Sequence, residues 1–235
     1  MSKMHLIPRQ NRATIKHRMK ILGRTILGMP IEVFLPENGN IKYLMIAGQH
    51  GNEPETTVLL SSVLRSISSS SLHCAVVLAA NPDGLVHGTR CNAAGVDLNR
   101  NFPSSNWSAE KVCYSWNDEH PRDTELSPGT EPASEPETRS LLHIISTLDI
   151  KTVIALHSPL HCIDDPEESE LAKSISQLVD LPLVSDIGYD TPGSLGSWGR
   201  ENGVSVITIE LPFDTIQNLR RRFSEVLEQL LIDEL

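Results

Sequence analysis

A chain of 235 residues with 39% hydrophobic and 21% charged residues has the length and composition of one sizeable soluble domain. No apolar run approaches the roughly 18 residues that span a bilayer, so a membrane partner is not expected. Of the 20 Lys and Arg, seven fall in the acid-free stretch 1–24, leaving 13 against 30 Asp and Glu in the body, a balance that argues against a nucleic-acid partner.

Residues 1–24 read as a basic N-terminal arm, either a solvated tail or a cover over an exposed edge, and residues 25–235 as a single domain. The arm lacks the apolar stretch of about 7 to 15 residues found in a secretory signal, so export by that route is not expected and the cytoplasm is the expected location. Cys74, Cys91, Cys113 and Cys162 form no Cys-x-x-Cys pair, which speaks against a zinc knuckle or a redox motif and for reduced thiols.

Ile31–Leu35 alternates as a half-buried strand, and the turn 36–40 leads to a second apolar run at 43–47, so the pair reads as a hairpin opening a sheet. Val58, Leu59, Val63 and Ile67 fall at helical spacing behind Pro54, and 74–80 is a continuous apolar run ended by Asn81-Pro82-Asp83-Gly84. Strand, helix, strand implies parallel pairing. Residues 85–134 have little periodicity and many turn formers, the kind of long irregular segment that often carries function. Ser134-Glu135-Pro136-Glu137 reads as a capping box before Leu141, Ile144, Ile145 and Leu148, and the next apolar run, 152–156, ends at His157. Leu171–Val179 marks another helix, Leu183-Val184 a short strand, and Gly203–Ile209 a buried strand ending at Glu210. An amphipathic helix with Leu219, Phe223, Val226, Leu227 and Leu230 closes the chain. The fold class is therefore α/β, a mainly parallel sheet with helices on both faces.

The polar residues at the ends of four runs are His50 with Glu53, Asn81, His157 and Glu210, and in an open α/β sheet such ends line one crevice. His50 and Glu53 are three apart, close to one helical turn, so both can face one divalent metal. Two His and one carboxylate with an open position is the ligand set of a catalytic zinc. His161 competes with His157 for the third place. Glu210 is the natural general base.

The segments His50-Gly51-Asn52-Glu53, Asn81-Pro82-Asp83-Gly84, Gly95-Val96-Asp97-Leu98-Asn99-Arg100-Asn101-Phe102, the run ending at His157, and Thr208-Ile209-Glu210 resemble, in order and spacing, the motifs of the zinc metallocarboxypeptidases. The resemblance implies one zinc per chain held by His50, Glu53 and His157, with Glu210 as base. It further implies Arg90 as the cation for the oxyanion, Asn99 with Arg100 as the grip on a substrate carboxylate, and Tyr189, one residue out of register with the family pattern, at the substrate-capping place. Within the family the likeness points to bacterial enzymes that release diaminopimelate from γ-D-glutamyl-meso-diaminopimelate in cell-wall peptides during recycling, so a small murein peptide is the expected substrate. Two alternatives stand beside it: an N-acyl amino acid deacylase of the aspartoacylase or succinylglutamate desuccinylase type, which also carries His-Gly-Asn-Glu, and a non-catalytic zinc-dependent binding protein. Whether the chain forms a homo-oligomer is not set by these residues.

Overall fold

The computed structural model describes residues 15–37, 39, 41–114 and 124–235; Lys3, Arg9 and Arg12 of the basic arm, and Trp116 and Pro121 of the irregular segment, lie outside them. The chain runs through β1 (Arg18–Arg24), β2 (Pro30–Leu35), β3 (Leu44–Ile46), α1 (Pro54–Leu64), β4 (Ala75–Val77), α2 (Pro82–His87), β5 (Val112–Tyr114) and β6 (Thr124–Leu126). It continues through α3 (Pro136–Thr147), β7 (Thr152–His157), β8 (Leu160–Asp164), α4 (Glu170–Val179), β9 (Leu183–Val184), α5 (Leu195–Glu201), β10 (Ser205–Pro212) and α6 (Ile216–Ile232).

One eight-stranded sheet has the order β1-β2-β4-β3-β7-β10-β8-β9, with β4, β3, β7 and β10 mutually parallel at its centre. β3 and β4 are apolar on both faces because helices cover both, whereas one face of β10 lines a cleft. Met45, Val76, Ile154, Ile207 and Ile209 pack under α1, α4 and α6, whereas Leu44, Ile46, Ala75, Val77 and Val153 pack under α3 and α5. From α6, Leu219, Phe223, Leu227 and Leu230 are fully withdrawn from water, each contributing about 2 kcal/mol on ordinary transfer energies. Among the described residues no helix is long and apolar enough to cross a membrane.

Three local expectations change. The last seven residues of the stretch read as an arm are the edge strand β1, joined to β2 through a turn in which Gly28 N donates to Thr25 O at 3.0 Å. The hairpin of β2 with β3 does not form, since β4 lies between them and pairs antiparallel with β2 and parallel with β3. β3 is apolar on both faces and belongs in the doubly covered centre, while the alternating β2 fits nearer the edge. The capping box at the start of α3 is also absent. Glu135 is the N-cap without a side-chain bond, Ser134 Oγ donates to Glu135 Oε1, and both Glu135 and Glu137 accept from the buried amide of Asn92 at 2.7 and 3.1 Å. That amide has no water to turn to, and it takes the carboxylates that would have closed the box.

Candidate active site

Parallel register sends the carboxyl ends of β3, β7 and β10 to one edge of the sheet, and the loops there carry the polar residues. Glu53 occupies the N-cap position of α1 ahead of Pro54, yet its side chain makes no capping bond and turns away from its own helix. His50 comes within reach because Glu53 N donates to His50 O at 3.3 Å, closing a tight turn. The turn is packed against the start of α2: a Cβ on Gly51 would fall inside the carbonyl group of Gly84. Two motifs far apart in the sequence thus meet glycine to glycine. Gly51→Ala should displace the turn and lower the midpoint of thermal unfolding by several degrees, corresponding to about 2 kcal/mol or more of backbone strain; calorimetry on the variant checks it.

His157, last residue of β7, lies in register with Glu210 on β10. Its Nδ1 is 3.1 Å from His50 Nδ1 and 3.1 Å from Glu53 Oε2, and His50 Nδ1 is 2.8 Å from Glu53 Oε1. Three ligand atoms of nitrogen and oxygen type therefore face one point, all within 4.8 Å of one another and all buried. The other face of the His50 ring is held by Asp97, whose Oδ1 is 3.0 Å from Nε2, the carboxylate–imidazole arrangement that orients a metal-binding His. His161 sits on β8 beside Arg222, with Nε2 and Nη1 3.4 Å apart, and takes no part.

The electrostatics favour a cation at this point. Burial works against charge on Glu53, but the imidazoles of His50 and His157 overcome it and hold the carboxyl far below its ordinary range. Burial likewise opposes charge on Asp97, and Arg90 with His50 brings its carboxyl well below normal. Burial and Arg90 push His50 down, yet Glu53 and Asp97 together raise it. Two buried anions facing imidazole nitrogens suit a divalent ion of zinc type better than a proton.

Glu210 lines the same cleft. Burial, reinforced by the nearby Glu53 carboxylate, pushes its carboxyl up to about 7 against the pull of His157, and its Oε2 accepts from Leu160 N at 3.3 Å. Arg90 reaches in through Nη1, 3.4 Å from Glu53 Oε1, with Nε bonded to Asp97 Oδ2 at 3.0 Å. Asp97 also starts the short turn carrying Asn99 and Arg100, accepting from Asn99 N at 2.9 Å. Asn99 Oδ1 accepts from Leu195 N at 2.9 Å, which leaves its NH2 end for a ligand; Arg100 Nη1 donates to Asn99 O at 2.7 Å, while its buried Nε has no partner. Tyr189 stands at the rim, about half exposed. The cleft is open to solvent on one side and bounded by the ends of β7, β8 and β10 and by α5.

His50, Glu53, Arg90, Asn99, Arg100, His157, Tyr189 and Glu210 all line this cleft. Asn81 does not: its Oδ1 accepts from Gly84 N at 2.9 Å and caps α2. Two residues escape a reading by motif. Asp97 lies inside a quoted segment, but only its contacts with His50 and Arg90 show it to be the group on which both depend. Gln49, 1% exposed on the cleft wall with both amide atoms unpartnered, has no sequence signal beyond its place next to His50.

A family model described as zinc carboxypeptidase matches residues 14–163. Murein peptide amidase A of Escherichia coli K12 is 42% identical over 207 residues, covering 87% of this chain and 86% of that protein. Murein peptide amidase A of Vibrio campbellii is 40% identical over 209 residues, covering 88% and 84%. The crystal structure of murein-tripeptide amidase from Escherichia coli O157 superposes with a TM-score of 0.92 at 38% identity, covering 97% of both chains. Thrombin-activatable fibrinolysis inhibitor shares the fold alone, with a TM-score of 0.69 at 20% identity over 93% of this chain and 72% of that one. With the three motif residues His50, Glu53 and His157 gathered where they could hold a metal, and relatives of this identity along most of its length, the chain belongs to the zinc carboxypeptidase family and is a zinc-dependent hydrolase.

Proposed function

We propose that the protein hydrolyses the γ-D-glutamyl–meso-diaminopimelate bond of murein peptides, with His50, Glu53 and His157 holding the zinc and Glu210 as general base. The observation that carries this reading is the meeting of Glu210 with the three candidate ligands in one cleft that also presents Arg90 and Arg100. The murein amidases among the relatives favour it over a deacylase. Bound zinc would polarise the scissile carbonyl and make a water acidic enough to attack near neutral pH. Glu210, with an affinity for protons matched to that pH, takes the proton of the attacking water and delivers it to the departing amine. Arg90, aimed by Asp97, offers its guanidinium to the negative charge that grows on the carbonyl oxygen. Asn99 and Arg100 hold the free carboxylate of the residue being released, and the carbonyl bond from Arg100 to Asn99 fixes the fork in place. We place the reaction in the cytoplasm, a compartment that keeps thiols such as Cys74, Cys91, Cys113 and Cys162 reduced.

Incubation of the purified protein with L-Ala-γ-D-Glu-meso-diaminopimelate, followed by mass spectrometry, should detect free diaminopimelate; an unchanged tripeptide rejects the reading. The two arginines should separate kinetically. Arg100→Ala removes a contact made equally in ground and transition states and should mainly raise KM, whereas Arg90→Ala should mainly lower kcat. On a substrate whose terminal carboxylate is amidated, Arg100→Ala should cost little more. A further loss above about tenfold, or roughly 1.4 kcal/mol, would assign Arg100 to the fold instead.

A further inference from the structure

Strand β10 has two unlike faces. Ile207, Ile209 and Leu211 are buried under the helices, whereas Val206, Thr208 and Glu210 are only part-buried and line the cleft. In register with Glu210 are His157 on β7 and Cys162 on β8. Two residues back along the strands the next row is Ala155, Thr208 and Asp164, about 7 Å from the first at the usual rise of a strand. The cleft therefore runs from the three candidate ligands over Ala155 and Thr208 to the carboxylate of Asp164. Its opposite wall is α5, which turns Gly196, Ser197 and Arg200 toward the space.

Asp164 is partly buried, and no hydrogen bond or ion pair engages its carboxylate among the described residues. Its acidic neighbours are otherwise occupied: Asp165 accepts from Ser169 N at 2.9 Å and from Ser169 Oγ at 2.6 Å, and Asp186 accepts from Gly188 N at 2.7 Å. Burial, Asp165 and Asp186 all push the Asp164 carboxyl up, and the Arg200 guanidinium draws it back down. Asp186 and Asp190 do not line the cleft, whereas Asp164 and Arg200 do. A part-buried acid on β8 and an exposed cation on α5 thus both line the cleft, the acid one row of side chains beyond Glu210.

We propose that Asp164 and Arg200 are the specificity-determining pair, reading a released residue whose side chain ends in both an ammonium and a carboxylate. Asp164 takes the ammonium and Arg200 the carboxylate, while Asn99 and Arg100 hold the carboxylate next to the cleaved bond. This rests on the murein-peptide reading above and specifies how the far end of diaminopimelate is recognised. A side chain without the ammonium leaves the part-buried Asp164 carboxylate unanswered, which is how a polar pocket rejects near analogues, and one without the carboxylate forfeits the contact with Arg200.

Three γ-D-glutamyl tripeptides test the pair, ending in meso-diaminopimelate, in L-lysine, which lacks the distal carboxylate, or in L-2-aminopimelate, which lacks the distal ammonium. Asp164→Asn should lower kcat/KM about tenfold or more on the diaminopimelate and lysine peptides and leave the aminopimelate peptide unchanged. Arg200→Gln should lower it on the diaminopimelate and aminopimelate peptides and spare the lysine peptide. Zinc content and melting temperature of both variants should match the wild type. Equal losses on all three peptides, or no loss on any, overturn the pair while leaving the amidase reading intact. Failure of the wild type to cleave any of the three rejects the substrate reading, and the pair with it.

Discussion

Glu210→Gln is expected to lower kcat by about 10²-fold or more, the usual scale for losing a general base, while zinc content and KM stay close to those of the wild type. The amide keeps the size of the side chain and removes only the site that accepts the water's proton. Stability should not account for the loss. Burial holds the Glu210 carboxyl at about 7 in the folded chain, above its value in the unfolded one, so ionising it costs stability as pH rises from about 4.5 to 7. Glutamine stays neutral and avoids that cost, so the metal-free variant should melt no lower than the metal-free wild type at neutral pH. Stopped-assay kinetics with calorimetry on both proteins checks the pair of statements. Turnover within a few-fold of normal would remove Glu210 from proton transfer.

The second large effect concerns His157. Its Nδ1 is one of three donor atoms converging on one point, and an alanine there leaves Glu53 and His50 with no third ligand in reach, since His161 lies beside Arg222. His157→Ala should therefore reduce zinc from one per chain to a small fraction on elemental analysis, with activity falling in parallel, while His161→Ala retains both. A ligand that binds only the folded state raises apparent stability by mass action, so a chelator should lower the melting temperature of the wild type and barely move that of His157→Ala. Full zinc occupancy in the alanine variant would reassign the third ligand.

Much of this was legible along the chain, for a definite reason. Strands in the centre of a parallel sheet are largely apolar, so β3 and β7 announce themselves as apolar runs and β10 as a β-branched one, and the polar side chains just after each run mark the sheet edge where ligands collect. His50, Glu53, His157 and Glu210 stand out in this way, and the spacing of His50 and Glu53 already suggests one face. Asn99 and Arg100 lie in one of the motif segments between them, whereas Arg90, outside every segment, was implied only by the family resemblance.

Other features depend on pairings that no local pattern records. Periodicity tells which face of an element is buried but not which strand lies next to it, so β2 looked like the partner of β3 until β4 was found between them. The choice of His157 over His161 followed from register with Glu210, and the role of Asp97 from contacts with residues 47 and 7 positions away. Asn81 sits at a strand end as His50 does, yet the helix behind it begins at once and takes its side chain as a cap. Asp164, Asp186 and Asp190 are chemically equivalent in the sequence; only the antiparallel return of β8 beside β10 sets the first of them on the cleft floor. The residues that converge on the candidate metal site, with Glu210 beside them, were thus legible in the sequence itself, whereas the lining of the far part of the cleft was decided by strand order and register, which join residues whose separation along the chain carries no signal of their contact.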